Sequence, residues 1–339
     1  MNLPGICRTK QIRGYAFPGI INNGSYYLTH LEVFADGLIN CWEMVDLPLF
    51  KKKLRSGWVV TSIPDGDPLS IHGIGSLVVS NAKWNHTNKT LVKFIKTVLK
   101  QLNPRMENLY KCYGRETEEI GRVKYASVGI PNTRPWKTKE PNTPLVWGIF
   151  GKSLQHFRVS NDRLFLVNIQ LFPDDTAVIF GSGEPITLDF NTFANQLRNP
   201  DYFRFPNRGD RVTIEQLVTF TAGEWKWSVK PESLQAEFHD LHNQVLGKPG
   251  AVKQCIEAYS NYLSKQTKET LNQLRQKYEA VPEHLRMYCG DMDTKDIPIR
   301  MILYGKEEIK KWSHYQIAKA MNKELPWIKI PEPPDENSA

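Results

Sequence analysis

Asp210 precedes the tripeptide Glu224-Trp225-Lys226, and an acid followed by Glu-x-Lys is a residue set with which a metal-dependent nuclease can work. Two carboxylates hold Mg²⁺, and the lysine stabilises developing charge or positions water. The pattern is short, however. It recurs at Glu308-Ile309-Lys310, and Arg208-Gly209 rather than an apolar strand end leads into Asp210. An alternating strand with its polar residues toward water explains the same residues. On such a strand Trp225 and Trp227 take the buried face, leaving Glu224 and Lys226 outward. A nuclease using Asp210, Glu224 and Lys226 stands as an alternative, not as the leading reading.

The other reactive residue types give less. His239 and His242 lie three apart near Glu237 in "EFHDLH", a spacing that can chelate a metal, but catalytic zinc needs a third protein ligand and none is evident. Neither a metal nor any other cofactor is expected. His72 and His314 have no nucleophile or orienting acid beside them. Asp67, Ser70 and His72 follow one another along a single strand, without the mutual geometry of a catalytic set. "HGIGS" (His72 to Ser76) lacks the Gly-Lys-Ser/Thr of a phosphate loop. With no complete active site, the expectation is a non-enzymatic binding or adaptor protein.

Cations interleaved with aromatics give the clearest binding signal. "FKKKLRSGW" sets Lys51, Lys52, Lys53 and Arg55 beside Trp58, a helical stretch over 87–102 carries Lys89, Lys93, Lys96 and Lys100 off its apolar face, and "TRPWKTK" adds Arg134, Lys137 and Lys139 around Trp136. Such cations contact phosphates and an exposed tryptophan stacks on a base. The bland alternative is a solvated face with Trp58 and Trp136 in a core. Residues 1–160 hold twice as many Lys and Arg as Asp and Glu, 22 against 11, while the rest carries a small acidic excess. That asymmetry fits an anionic partner on the first half. The partners expected are a protein, as for an accessory subunit of a larger assembly, and DNA or RNA through the basic half. An inhibitor or immunity-type protein that blocks another protein is the second alternative.

No apolar run reaches the ~20 residues of a membrane span, and the first residues lack the apolar stretch of a secretory signal. Cys7, Cys41, Cys112, Cys255 and Cys289 are odd in number and scattered, with no C-x-x-C pair. Reduced thiols and a cytoplasmic location are therefore expected, without a membrane.

The elements that must position these residues repeat. "GDPLSIHGIGSLVVSNAKW" (Gly66 to Trp84) is echoed by "GDRVTIEQLVTFTAGEWKW" (Gly209 to Trp227). The same register carries Phe50 onto Phe193, Leu54 onto Leu197, Ile71 onto Ile214 and Leu77 onto Phe220. A second offset carries Leu31–Asp36 onto Ile169–Asp174, and a third carries Glu107, Leu109, Gly114, Gly129 and Trp136 onto Glu283, Leu285, Gly290, Gly305 and Trp312. The reading is an α+β chain of two tandem strand–helix–strand modules, 12–150 and 160–330, related by duplication. A helical arm over about 231–280, two helices broken at "GKPG", is inserted in the second, and 331–339 is a flexible tail. The counterparts of Lys51, Lys52 and Lys53 are Ala194, Asn195 and Gln196, so the basic feature belongs to the first module alone. In both modules the closing segment is read as strand: "GRVKYASVGI" in the first, "IPIRMILYG" in the second. A C-terminal helix is expected over about 306–322.

Overall fold

A computed structural model describes residues 5–7, 12–107, 109, 116–120, 123–127, 151–161 and 163–331. The described residues are α+β and form two compact units. One draws on Met1–Phe150, Gln155–Gln170 and Ala177–Ser228, the other on Gly151–Leu154, Leu171–Thr176 and Val229–Ala339.

In the first unit β1 (Gly5–Cys7) pairs with β2 (Arg13–Asn22), which turns through Asn23–Ser25 into β3 (Tyr26–Phe34). Ala35-Asp36-Gly37 then folds β4 (Ile39–Asn40) back on β3, with Gly37 at a φ of 86° that L residues avoid. After β5 (Met44–Val45), Asp46 caps helix α1 (Leu47–Arg55) by accepting from the Leu49 N–H at 2.9 Å. β6 (Val59–Val60) returns to β2, β7 (Pro68–Ile71) runs parallel to β3, and β8 (Gly75–Trp84) pairs antiparallel with β7. Helix α2 (Asn88–Leu102) starts at a reciprocal Thr87–Thr90 capping box. β9 (Glu116–Ile120) and β10 (Val123–Ser127) make a separate antiparallel pair.

The order recurs. β11 (Lys152–Ser160), β12 (Arg163–Leu171), β13 (Thr176–Phe180) and β14 (Ile186–Asp189) lead to α3 (Phe190–Leu197), capped by Asp189 onto the Thr192 N–H. β15 (Arg211–Ile214) lies parallel to β12 and antiparallel to β16 (Val218–Ser228). Leu69 opposite Leu77 has its match in Val212 opposite Phe220, and Tyr26 opposite Leu69 in Leu164 opposite Val212. The echoed Gly-Asp pairs do the same work twice. Gly66 and Gly209, at φ 89° and 94°, donate to the carbonyls of Val79 and Ala222, each at 2.8 Å. β8 pairs antiparallel with β16, placing Val79 opposite Ala222, so β7, β3 and β2 follow outward on one side and β15, β12 and β11 on the other. The 14 strands form one mixed sheet among the described residues.

One face of the sheet buries Leu69, Leu77 and Val79 together with Phe157, Leu164, Val212 and Phe220, residues of both halves in a single core. The opposite face of β2 and β3, with Phe17, Ile21, Leu31 and Val33, receives Phe50 and Leu54 of α1 and Leu91, Ile95, Val98 and Leu99 of α2. Each such side chain contributes about 1.5–3 kcal/mol by leaving water, so both helices are held on that face by their apolar stripes.

The described part of the second unit from Val229 on is helical. α4 (Pro231–Val245) follows β16 at the offset by which α2 follows β8, with Leu234 and Phe238 buried where α2 buries Leu91 and Ile95. The expected helical arm over about 231–280 therefore has its first helix at the position of α2. Its remainder is not one helix over 251–280 but α5 (Ala251–Ser264) and α6 (Lys268–Glu279), separated where Thr267 forms a capping box with Thr270. The expected strand at "IPIRMILYG" is instead helix α7 (Ile297–Tyr304). Burial does alternate along it, at Ile297, Ile299, Met301 and Leu303. The alternation arises because Ile299 and Leu303 face the cluster of Cys255, Tyr262, Leu274 and Tyr278, whereas Ile297 and Met301 face Trp312. Two i,i+4 pairs on a helix packed from two sides mimic a strand. The third offset thus joins a helix to the strand pair β9–β10, and that correspondence fails; Gly114, Gly129 and Trp136 lie outside the described residues. The expected C-terminal helix is a 3-10 turn, Lys306–Lys311, followed by α8 (Ser313–Ala320).

Candidate nucleic-acid interface

Neither α1 nor α2 contains an Asp or Glu. Because Phe50 and Leu54 point into the core, Lys51, Lys52 and Arg55 are left exposed on α1; Leu91, Ile95, Val98 and Leu99 do the same for Lys89, Lys93, Lys96 and Lys100 on α2. Among the described residues none of these seven has an ion-pair partner. Lys53 is different. Its ammonium pairs with Glu43 at 2.6 Å and lies 5.0 Å from the centre of the Trp58 ring, so it fastens α1 to the β4–β5 turn and leaves the set of free cations. Trp58 is half-buried against the α1–α2 core, its indole N–H on the Cys41 carbonyl at 3.3 Å. Arg134, Lys137 and Lys139 lie outside the described residues. Lys89 also borders a broad depression of about 690 Å³ at the start of α2, shared with Lys83, Trp84 and His86. Burial lowers the His86 pKa, disfavouring the charged form of that ring.

The acid and Glu-x-Lys residues are engaged separately. Asp210 takes both guanidinium nitrogens of Arg204, at 2.5 and 3.2 Å, and the Asn207 N–H at 2.7 Å. The Arg204 hydrogen bond holds the Asp210 carboxyl below the usual range. Glu224 pairs with Arg208 at 3.0 Å on the exposed surface, and Lys226 is exposed. The arrangement is two ion pairs, each carboxylate with its own arginine, of which the exposed one adds at most about 1 kcal/mol. Trp225 packs inward against Phe157 and Phe205, but Trp227 is 54% exposed. The expected common face is broken by register shifts against β8 on either side of Trp225. The recurrence at Glu308 is occupied too, by Arg300 and Lys311.

The helical histidines diverge in the same way. His242 meets Asp175 at 2.8 Å, while Glu237 meets His284 at 2.8 Å. No group of three or more His, Cys, Asp or Glu able to hold a metal is present among the described residues.

Trp42 is not among the residues singled out from the sequence. It occupies the turn between β4 and β5 at φ 68° and is 48% exposed, with Tyr27 and Trp58 as ring neighbours. No local pattern marks it, since its neighbours come from two separate segments, β3 and the stretch just past the end of α1.

A family model described as Domain of unknown function (DUF7638) matches residues 3–106, which include α1 and α2. A second, Domain of unknown function (DUF7639), matches residues 250–328, which include α5 to α8. No curated protein and no solved structure matches the chain.

Proposed function

We propose that this chain is a binding protein that contacts a polyanion, nucleic acid foremost, through the outer faces of α1 and α2. The observation that carries the reading is the seven exposed cations on two acid-free helices seated on one buried core. Fixed cations without internal partners release condensed counterions when they meet phosphates, which makes affinity steeply salt-dependent. Phosphate contacts of this kind position a nucleic acid without reading its sequence. Retention on immobilised DNA or RNA is expected at low salt and lost on raising it. The double variant Lys51→Glu/Lys52→Glu weakens binding at unchanged thermal stability, because both residues are exposed and neither is paired among the described residues; Lys53 is left alone because its replacement would free Glu43. Absence of retention on both DNA and RNA at low salt would sink this reading.

A protein partner is favoured by a separate feature. Ile317 and Met321 at the α8 end, and Trp327 beyond it, are 56%, 57% and 74% exposed, more apolar surface than a solvent-facing segment needs. The accessory or adaptor role we propose places protein contact there. Cys41, Cys255 and Cys289 are buried free thiols, which suits the reducing cytosol proposed as its setting; among the described residues no helix is long and apolar enough to cross a membrane. We further propose that the two strand–helix halves arose by duplication, supported by the equal pairings about Val79 and Ala222, the Gly66 and Gly209 turns, and the Asp46 and Asp189 caps.

A further inference from the structure

We propose that Trp42 is a base-stacking platform, so that the ligand of the basic face is a single-stranded nucleic acid with unpaired bases. The inference rests on the polyanion reading and adds to it the class of nucleic acid.

Three observations converge. First, a bulky residue is held in left-handed backbone, φ 68°, at the tip of the turn Cys41–Glu43, where a non-glycine residue is uncommon and strained. The fold does not demand it. The turn that precedes the other Asp-capped helix, between β13 and β14, puts glycines at its positive-φ positions, Gly181 at 101° and Gly183 at 100°. Second, the ring is fixed but uncovered. Its indole N–H donates to Thr29 Oγ1 at 3.1 Å, and its neighbours are Tyr27 at 5.4 Å and, edge-on, Trp58 at 6.2 Å. With the one polar atom already used and 48% of the residue exposed, what remains to offer is π surface. Third, the turn is tied to the basic helix. Glu43, next in sequence, is neutralised by Lys53 of α1, and Lys51, Lys52 and Arg55 of that helix have no ion-pair partner among the described residues.

A cation-binding cage is the rival use of clustered rings, but the cation position over Trp58 is already filled by Lys53. A flat exposed ring on a turn pinned through Glu43 to the helix that carries the cations fits a backbone that supplies phosphates and bases together. A duplex keeps its bases stacked on each other and presents only the phosphates to such a surface.

The test compares fluorescently labelled oligothymidylate, a duplex of the same length and heparin, using wild type, Trp42→Gly, Trp42→Phe and Lys51→Glu/Lys52→Glu. Glycine relieves the positive φ, so that variant folds, as a thermal melt will confirm. Trp42→Gly is expected to weaken oligothymidylate about 5- to 150-fold, the range for losing one base–aromatic stack, with duplex and heparin changed less than about twofold and Trp42→Phe retaining most of the affinity. The lysine variant weakens all three ligands. If Trp42→Gly leaves oligothymidylate unchanged while the lysine variant lowers it, stacking is refuted and the polyanion reading survives. Equal losses for all three ligands with Trp42→Gly also refute stacking. Failure of the wild type to bind any of them removes both.

Discussion

His156 shows how a single residue fixes a pH limit. It is 5% exposed on β11, between the rings of Phe203 and Phe205, and its Nδ1 accepts the Phe157 N–H at 2.7 Å. Burial lowers its pKa from 6.5 to about 4, against a smaller upward pull from the Phe157 backbone. The folded state thus binds this proton less readily than the unfolded chain. Its full stability is present above about pH 6.5 and is lost progressively as pH falls toward 4, by an amount on the order of 3 kcal/mol. Urea unfolding at neutral pH and near pH 5 is expected to show the loss in wild type. His156→Leu should flatten the difference between the two conditions, and an unchanged pH dependence in that variant would assign the effect elsewhere.

At the scale of elements, the seam between β8 and β16 depends on a missing side chain. Gly75 has φ 153°, and a Cβ there would lie 2.4 Å from the Trp227 carbonyl oxygen and 2.8 Å from the Ser228 Cα. Both neighbours are backbone and cannot step aside without moving the strand. Gly75→Val is expected to destabilise by about 2 kcal/mol or more, combining backbone strain with overpacking. Gly73→Ala is the control for positive φ alone, because nothing lies within 4 Å of that position. Chemical denaturation of the two variants separates the terms; equal losses would mean that the close approach to β16 costs nothing.

At the scale of the whole sheet unit, the two halves share one core, so neither can open without exposing the other. Leu77 and Val79 lie in the same buried cluster as Phe220 and Ala222. A carboxylate at Val79, which is 1% exposed, would have no partner and would cost several kcal/mol. In Val79→Asp, hydrogen exchange followed by mass spectrometry is expected to accelerate in β3 and β12 alike. Loss of protection confined to β3 would show that the halves fold separately. The seven outward cations sit on the far side of α1 and α2 from their core, so their charge bears on ligand binding and salt dependence rather than on fold.

The sequence by itself determined what local chemistry decides. The bounds of α1 follow from Asp46 and the Phe50–Leu54 stripe, the start of α2 from Thr87, the β3–β4 hairpin from Asp36-Gly37, and the paired turns from the Gly-Asp echo; caps, apolar spacing and glycines act over a few residues and leave their mark there. The cations at Lys51, Lys52, Arg55, Lys89, Lys93, Lys96 and Lys100 were legible as an exposed set for the same reason, since each lies off a helical apolar stripe. Tertiary structure alone decided the rest. Lys53 leaves the candidate site because Glu43 and Trp58 reach it, Asp210 becomes part of an ion pair because Arg204 does, and α7 reads as a strand until its two packing faces are seen. Trp42 gains its meaning from Thr29, Tyr27 and Trp58, and the order of the sheet is set by β8 meeting β16. In each case the deciding partner is brought close by the fold, and a short stretch of chain carries no record of what will face it.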